Sequence, residues 1–327
     1  MHRVHSLSLV LTSGTLRAPR QHMHGVSFKY HKGLNVIKRI IIIFNIIFIL
    51  FTFSKFSSVH AGEEIQQLTE AAKKGSVEAQ FKLGVMYYSG QSVSQSFEIA
   101  FEWFEKAAVQ GNPIAQTNLG LMYRNGQGIA QNFKEAAKWA EKAAEQGFVP
   151  AQNDIGQYYF FGEGVEKNYE KAAYWLNIAA KKGNPDAQFF LSSIYRNGMG
   201  VERDEKTSFY WLEASAKQGH GGAASLIGMM YLNGYKTEKN YNKAYEYFTL
   251  GAKSGSSSSL YSLGEMYEKG LGVDKNLVEA VDIYKKAKAL SEIEINKGIE
   301  PGGAESIAAK ASEKLNALCK TENVGCE

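Results

Sequence analysis

The chain is 327 residues long, 44% hydrophobic and 21% charged, with a formal net charge of +4. The excess of positive charge sits at one end. Residues 1–61 hold eight Lys or Arg and no Asp or Glu, so residues 62–327 carry 29 basic against 33 acidic side chains, a net of −4. That balance removes the basic surface on which nucleic-acid binding leans, and nucleic acid is excluded as a partner.

Residues 40–53 form a near-continuous apolar run behind Lys38 and Arg39. The run is 14 residues long. That is short for a membrane span of about 20 residues, and it suits the core of a secretory signal peptide. Val59-His60-Ala61 supplies a small-x-small pattern, so cleavage is expected after Ala61. The 39 residues ahead of the run exceed a usual basic leader, as a start mis-assigned upstream of Leu34 or Val36 would make them. The open alternative is an uncleaved single-span anchor, which would confine membrane contact to the leader. No cysteine lies near the cleavage point, so a lipid anchor is not supported. The expected location of the remainder is periplasmic or secreted.

From residue 77 a pattern recurs every 36 residues. Ala79, Ala115, Ala151, Ala187 and Ala223 follow it, as do Tyr87, Tyr123, Tyr159, Tyr195, Tyr231 and Tyr267. All four tryptophans, Trp103, Trp139, Trp175 and Trp211, keep the same step, with Tyr247 and Ile283 in the last two copies, and are expected to fill the groove between successive helix pairs as buried side chains. A period of this length is the signature of a stacked repeat architecture. Each unit reads as two helices, A and B. In the first unit Ala79, Leu83 and Tyr87 form the apolar stripe of helix A, over about Val77 to Ser89. Gly84 lies beside the stripe and recurs as Gly120, Gly156, Gly228 and Gly264, with Ser192 the exception. A mid-helix glycine costs about 1 kcal/mol relative to alanine, so its retention predicts a close helix crossing. Gly90 ends helix A, and Ser96, Asn132, Asn168, Asp204, Asn240 and Asn276 are the N-caps of helix B. Phe97, Ala100, Phe101, Phe104, Ala107 and Ala108 face inward on the first helix B.

The arrangement A-x3-LG-x2-Y-x2-G-x-GV-x6-A-x2-W-x3-AA-x2-G resembles the Sel-one-like repeat, a relative of the tetratricopeptide repeat. The resemblance implies an all-α solenoid of helix–turn–helix repeats that binds other proteins. The expected organisation is a leader at 1–61, an N-terminal half-repeat helix at 62–76, six repeats at 77–290, and a linker, capping helix and tail at 291–327. Three departures from the pattern stand out. Ser92 replaces a turn glycine, Tyr235-Lys236-Thr237 replaces x-G-V, and Ser291 stands where a terminating glycine belongs. After the break around Pro301, residues 304–320 are expected to cap the stack through Ile307, Ala311, Leu315 and Leu318.

The repeats hold no evident chemistry. His220 is the one histidine after residue 61, and it reads as a solvated loop residue. No metal, cofactor or triad constellation accompanies it. Cys319 and Cys326 are a candidate disulfide, with two free thiols at a frayed end the alternative. The expected function is an exported bacterial interaction scaffold, non-enzymatic, cofactor-free and monomeric. A cell-wall carbohydrate-binding module or a hydrolase of the β-lactamase-like secreted repeat type is the alternative. The family branch with that activity carries a disulfide in each repeat, and these cysteines are absent here.

Comparing the copies separates scaffold from surface. Rows equivalent to 81, 85 and 88 vary freely and are expected on the face opposite the stripe. By resemblance to related solenoids, helix A lines the concave side. Phe81, Tyr88, Arg124, Asn153, Phe160, Phe189 and Arg196 are therefore the candidate residues for binding a protein partner. Surface drift is the alternative for the same rows.

Overall fold

A computed structural model describes residues 63–296 and 301–321 of the chain. The expected leader and Cys326 lie outside the described residues. Helix α1 spans residues 63–73. Six A–B pairs follow: α2 (Val77–Ser89) and α3 (Phe97–Val109), α4 (Pro113–Asn125) and α5 (Phe133–Glu145), α6 (Val149–Phe161) and α7 (Tyr169–Lys181). The remaining pairs are α8 (Pro185–Asn197) and α9 (Glu205–Lys217), α10 (Gly221–Asn233) and α11 (Tyr241–Lys253), α12 (Ser257–Lys269) and α13 (Leu277–Asn296). Helix α14 (Pro301–Thr321) closes the stack. From α4 on, each A helix packs between the B helix of its own unit and that of the unit before.

Local chemistry sets these boundaries. The six expected caps of helix B all accept from free N–H groups at its start. Ser96 takes the N–H of Ile99, Asn168 that of Lys171, and Asn276 that of Glu279. Asn132 and Asp204 each take two N–H groups, and Asn240 takes that of Lys243. Gly126 ends α4 in the left-handed conformation at φ 66°, and its N–H returns to the carbonyl of Met122. Five of the six helix-A starts are capped as well, by Ser76, Asn112, Asn184, His220 and Ser256, and α6 begins at Phe148 without a side-chain cap.

The crossing predicted at Gly84 is real and tight. A Cβ there would lie 2.5 Å from the ring of Phe104 on the facing B helix. At Gly156 the obstacle is Leu176 at 2.7 Å, at Gly228 Phe248 at 2.6 Å, and at Gly264 Tyr284 at 2.6 Å. Phe104, Leu176, Phe248 and Tyr284 are all buried at that crossing.

A second tie holds successive units. Gln80 donates from Nε2 to the carbonyl of Ala72 on α1, at 3.0 Å, and accepts from Gln110 at 2.7 Å. Gln116 repeats both bonds with Ala108 and Gln146, and Gln188 with Ala180 and Gln218. Gln152 bonds Ala144 and takes Lys182 as its second partner. Each glutamine thus joins its own A helix, its own B helix and the preceding B helix. Helix α1 occupies the place of a preceding B helix, because Ala72 receives the same bond as Ala108.

Three expectations change. Of the four tryptophans only Trp139 is buried, at 8% exposure; Trp103, Trp175 and Trp211 are half-buried. With Ser291 in place of a terminating glycine, α13 runs on to Asn296, and Ser291 is buried. The closing helix begins at Pro301, three residues before the expected start, as suits a residue without a backbone donor in a first turn. Its Ala311 and Leu318 are buried, and Lys314 reaches Glu268 of α12 at 3.0 Å.

Two substitutions weigh the ties. Trp139→Ala should lower stability by about 3–5 kcal/mol. Gln116→Ala removes its bonds to the Ala108 carbonyl and to Gln146, while that carbonyl keeps the N–H of Gly111, and should cost about 0.5–1.5 kcal/mol. Thermal melts decide both, and a parent-like melt for Gln116→Ala would remove the glutamine tie from the account.

Candidate functional site

The candidate surface is built on the A helices, and its exposed face is turned from the one expected. In α2 the exposed positions are Glu78, Lys82, Val85 and Ser89, spaced as one helical stripe. The same stripe in α4 exposes Ile114, Leu121 and Asn125, and in α10 Gly222, Leu226, Met229 and Asn233. Row 85 is therefore outward. Rows 81 and 88 lie about 70–90° around the helix from the stripe centre, at 100° per residue. They sit on the flank that the tight crossing draws onto helix B.

Each predicted residue finds its place in that geometry. Phe81 packs on Phe104 at 5.9 Å, and Tyr88 on Phe97 at 5.3 Å. The hydroxyl of Tyr88 also donates to Gln127 of the next unit. Asn153 is buried at 6% exposure, as are Thr117 and Ser225 of its row, so Asn153 is not a surface residue. Phe160 is half-buried against Tyr169 on its own B helix and Phe190 on the next A helix. Phe189 stacks on His220 at 4.5 Å. His220 is not a solvated loop residue either. Its Nδ1 accepts from the N–H of Ala223, and burial holds its pKa below the usual histidine value. Arg196 alone of the seven is exposed.

Arg124 is held in place. It lies 3.2 Å from Glu163 across the unit boundary, without hydrogen-bond alignment, and 5.7 Å over the ring of Tyr158. Beside it Asp154 accepts from Asn153 at 3.3 Å. Burial pushes the Asp154 carboxyl up to about 6; the Asn153 bond and Arg124 pull it down, and Asp186 pushes it up. Among the described residues no cluster of His, Cys, Asp or Glu could hold a metal ion.

The outward stripe is rich in apolar side chains. Val85, Ile114, Leu121, Phe161, Leu226 and Met229 are between 36% and 48% exposed. A cavity of about 560 Å³ opens where the stripe passes from α8 to α10, with Arg196 on its wall. The stripe was missed because the variable rows were read as one face. Row 78, with Ile114, and row 89, with Phe161, carry its signal in the sequence.

The Sel1 repeat family matches residues 77–112, 113–148, 149–184, 185–220, 222–256 and 257–291. No curated protein matches the chain. Among solved structures, one similar protein is a protective antigen present in uropathogenic Escherichia coli strains, which displays an SLR fold. It is 29% identical with a TM-score of 0.64, over 80% of this chain and 61% of that one. The chain thus spans less than two thirds of that relative. A Sel1 repeat protein from Oxalobacter formigenes is also 29% identical with a TM-score of 0.60, over 80% of this chain and 78% of that one.

The raised Asp154 pKa sets a pH dependence. The folded chain keeps this proton up to about pH 6, and an unperturbed carboxyl releases it near 3.8. Stability therefore falls as pH rises between those values. Asp154→Asn stays neutral throughout and should melt above the parent at neutral pH. The gain should shrink as pH falls through 6 and vanish below about pH 4. A melting difference independent of pH would contradict the buried carboxylate.

Proposed function

The chain belongs to the Sel1 repeat family, whose solenoids generally serve as scaffolds for protein–protein interaction, and we propose that it binds a partner protein along the outward stripe of its A helices. One observation carries this reading: exposed apolar side chains from Val85 to Met229 lie on the outward stripe in four of the first five units, α8 alone contributing none. Exposed apolar patches of this kind, rimmed by polar side chains, mark interaction surfaces. In the proposed complex Ile114 and Leu121 are contact residues, and Phe81 and Asn153 are scaffold. The two substitutions Ile114→Glu and Leu121→Glu place a charge on the stripe and touch only exposed positions. Affinity capture on the full chain should weaken at least about tenfold with each, at an unchanged melting temperature. Undiminished capture with both would move the partner off the stripe.

Export of the chain is proposed on its leader. Mass spectrometry of the exported product should find Gly62 as the first residue. The same mass should fall short by two hydrogens if Cys319 and Cys326 are bonded. An intact apolar run in the membrane fraction would favour the anchor, and a full hydrogen count would rule out the disulfide.

A further inference from the structure

The A–B turn of a unit closes onto the unit before it. A Cβ added to Gly200 would lie 2.5 Å from the N–H nitrogen of Glu170, at the start of the preceding B helix. At Gly272 it would lie 2.8 Å from Tyr241, and at Gly128 and Gly164 closer still to Phe97 and Phe133. No residue with a side chain can make that approach. Ser92 stands at the glycine position of the first turn, at φ 64°.

Unit 5 breaks the rule with a full unit in front of it. Lys236 occupies the glycine position, at φ 60°. Its facing residue changes with it. Where the other B helices begin with Phe97, Phe133, Tyr169, Tyr241 and Leu277, unit 4 begins with Glu205. The two replace a close contact by an ion pair, Nζ to Oε2 at 2.6 Å. Arg203 engages the same carboxylate.

Three more departures border the same place. Ser192 stands for glycine, Ser208 for alanine, and Thr237 for valine or isoleucine. All five line the cavity of about 560 Å³ between units 4 and 5. Scaffold positions of a solenoid recur because each unit meets the same neighbours. Departures gathered around one cavity answer to something other than stacking.

The cavity has an apolar floor and a cationic rim. Phe209, Leu212, Leu226 and Met229 form the floor. Arg196, Lys206 and Lys236 stand against one carboxylate, Glu205, which is already engaged. Arg196 and Lys206 have no ion-pair partner among the described residues. The hydroxyl protons of Ser192 and Ser208 are spent on the carbonyls of Phe189 and Ser192. A positive rim within a region of net charge −4 selects an anion. Leu226 and Met229 belong also to the outward stripe, so the cavity is continuous with the proposed interface.

We propose that this cavity docks an acidic, apolar segment of the partner protein, with one large apolar side chain on the floor and a neighbouring carboxylate on Arg196 and Lys206. This rests on the scaffold reading and names the anchor within it. The volume lies within the range of about 300–1,000 Å³ typical of ligand sites.

The test is panning of a phage library of random heptapeptides on the full chain. Enriched peptides should pair Phe, Leu or Met with Asp or Glu. A labelled synthetic copy of the most enriched peptide should bind at least about tenfold more weakly to Arg196→Glu and to Met229→Glu. The double variant Glu205→Tyr with Lys236→Gly restores the repeat pattern. It should melt at or above the parent temperature and bind the peptide at least about tenfold more weakly, because the turn can then close. Enrichment of basic or uncharged polar peptides, binding of decanoate with no peptide enriched, no enrichment at all, or parent affinity in the double variant would each overturn the proposal. Loss of captured partner with Leu121→Glu, but not with the cavity variants, would overturn it and leave the scaffold reading standing.

Discussion

The close crossing of helices A and B at the Gly84 row is the constraint from which the rest follows. The missing Cβ lets Phe104, Leu176, Phe248 or Tyr284 lie directly on the A-helix backbone. That contact fixes how far each A helix is rotated. Residues beside the glycine, in rows 81 and 88, are then drawn onto the B helix or the neighbouring unit, Arg196 excepted. The outward stripe is what remains, rows 78, 82, 85 and 89. Which side chains meet a partner is thus a consequence of where a side chain is absent.

Stacking adds a polar tie to this apolar crossing. The glutamine row joins three helices per unit in the first four units, and it stops at Ala224. Unit 5 holds instead by serine contacts, such as Ser225 with Ser258 at 3.0 Å. The same boundary carries Ser192, Glu205 and Lys236 in place of the recurrent residues. Relaxation of the regular ties and opening of the cavity coincide there. In a quasi-one-dimensional fold a local break of this kind disturbs only its neighbours, so one unit can specialise without loss of the others.

Most of the fold was legible in the sequence because each unit repeats one solution of the same packing problem. The period placed the six helix pairs, the caps from Ser96 to Asn276 marked the B-helix starts, and Gly84 announced the crossing. The surface was less legible. Variability does not distinguish a residue that faces solvent from one that packs differently in each unit, as Phe81, Thr117 and Asn153 do. The glutamine row kept the 36-residue step and was readable, but a polar row looks like surface until its bonds are seen. His220 replaces the usual capping residues at a helix-A start, a place where a lone histidine carries no pattern. The consequence of Lys236 needed the facing residue, Glu205, 31 positions earlier.

The central claim is that the tight crossing leaves rows 78, 82, 85 and 89 outward and takes rows 81 and 88, Arg196 excepted, into the scaffold. Hydroxyl-radical footprinting of the full chain, read by mass spectrometry, tests it most directly. Val85, Leu121, Phe161 and Met229 should be modified readily, and Phe81, Phe104 and Met122 slowly. Faster modification of Phe81 than of Val85 and Phe161 would contradict the claim.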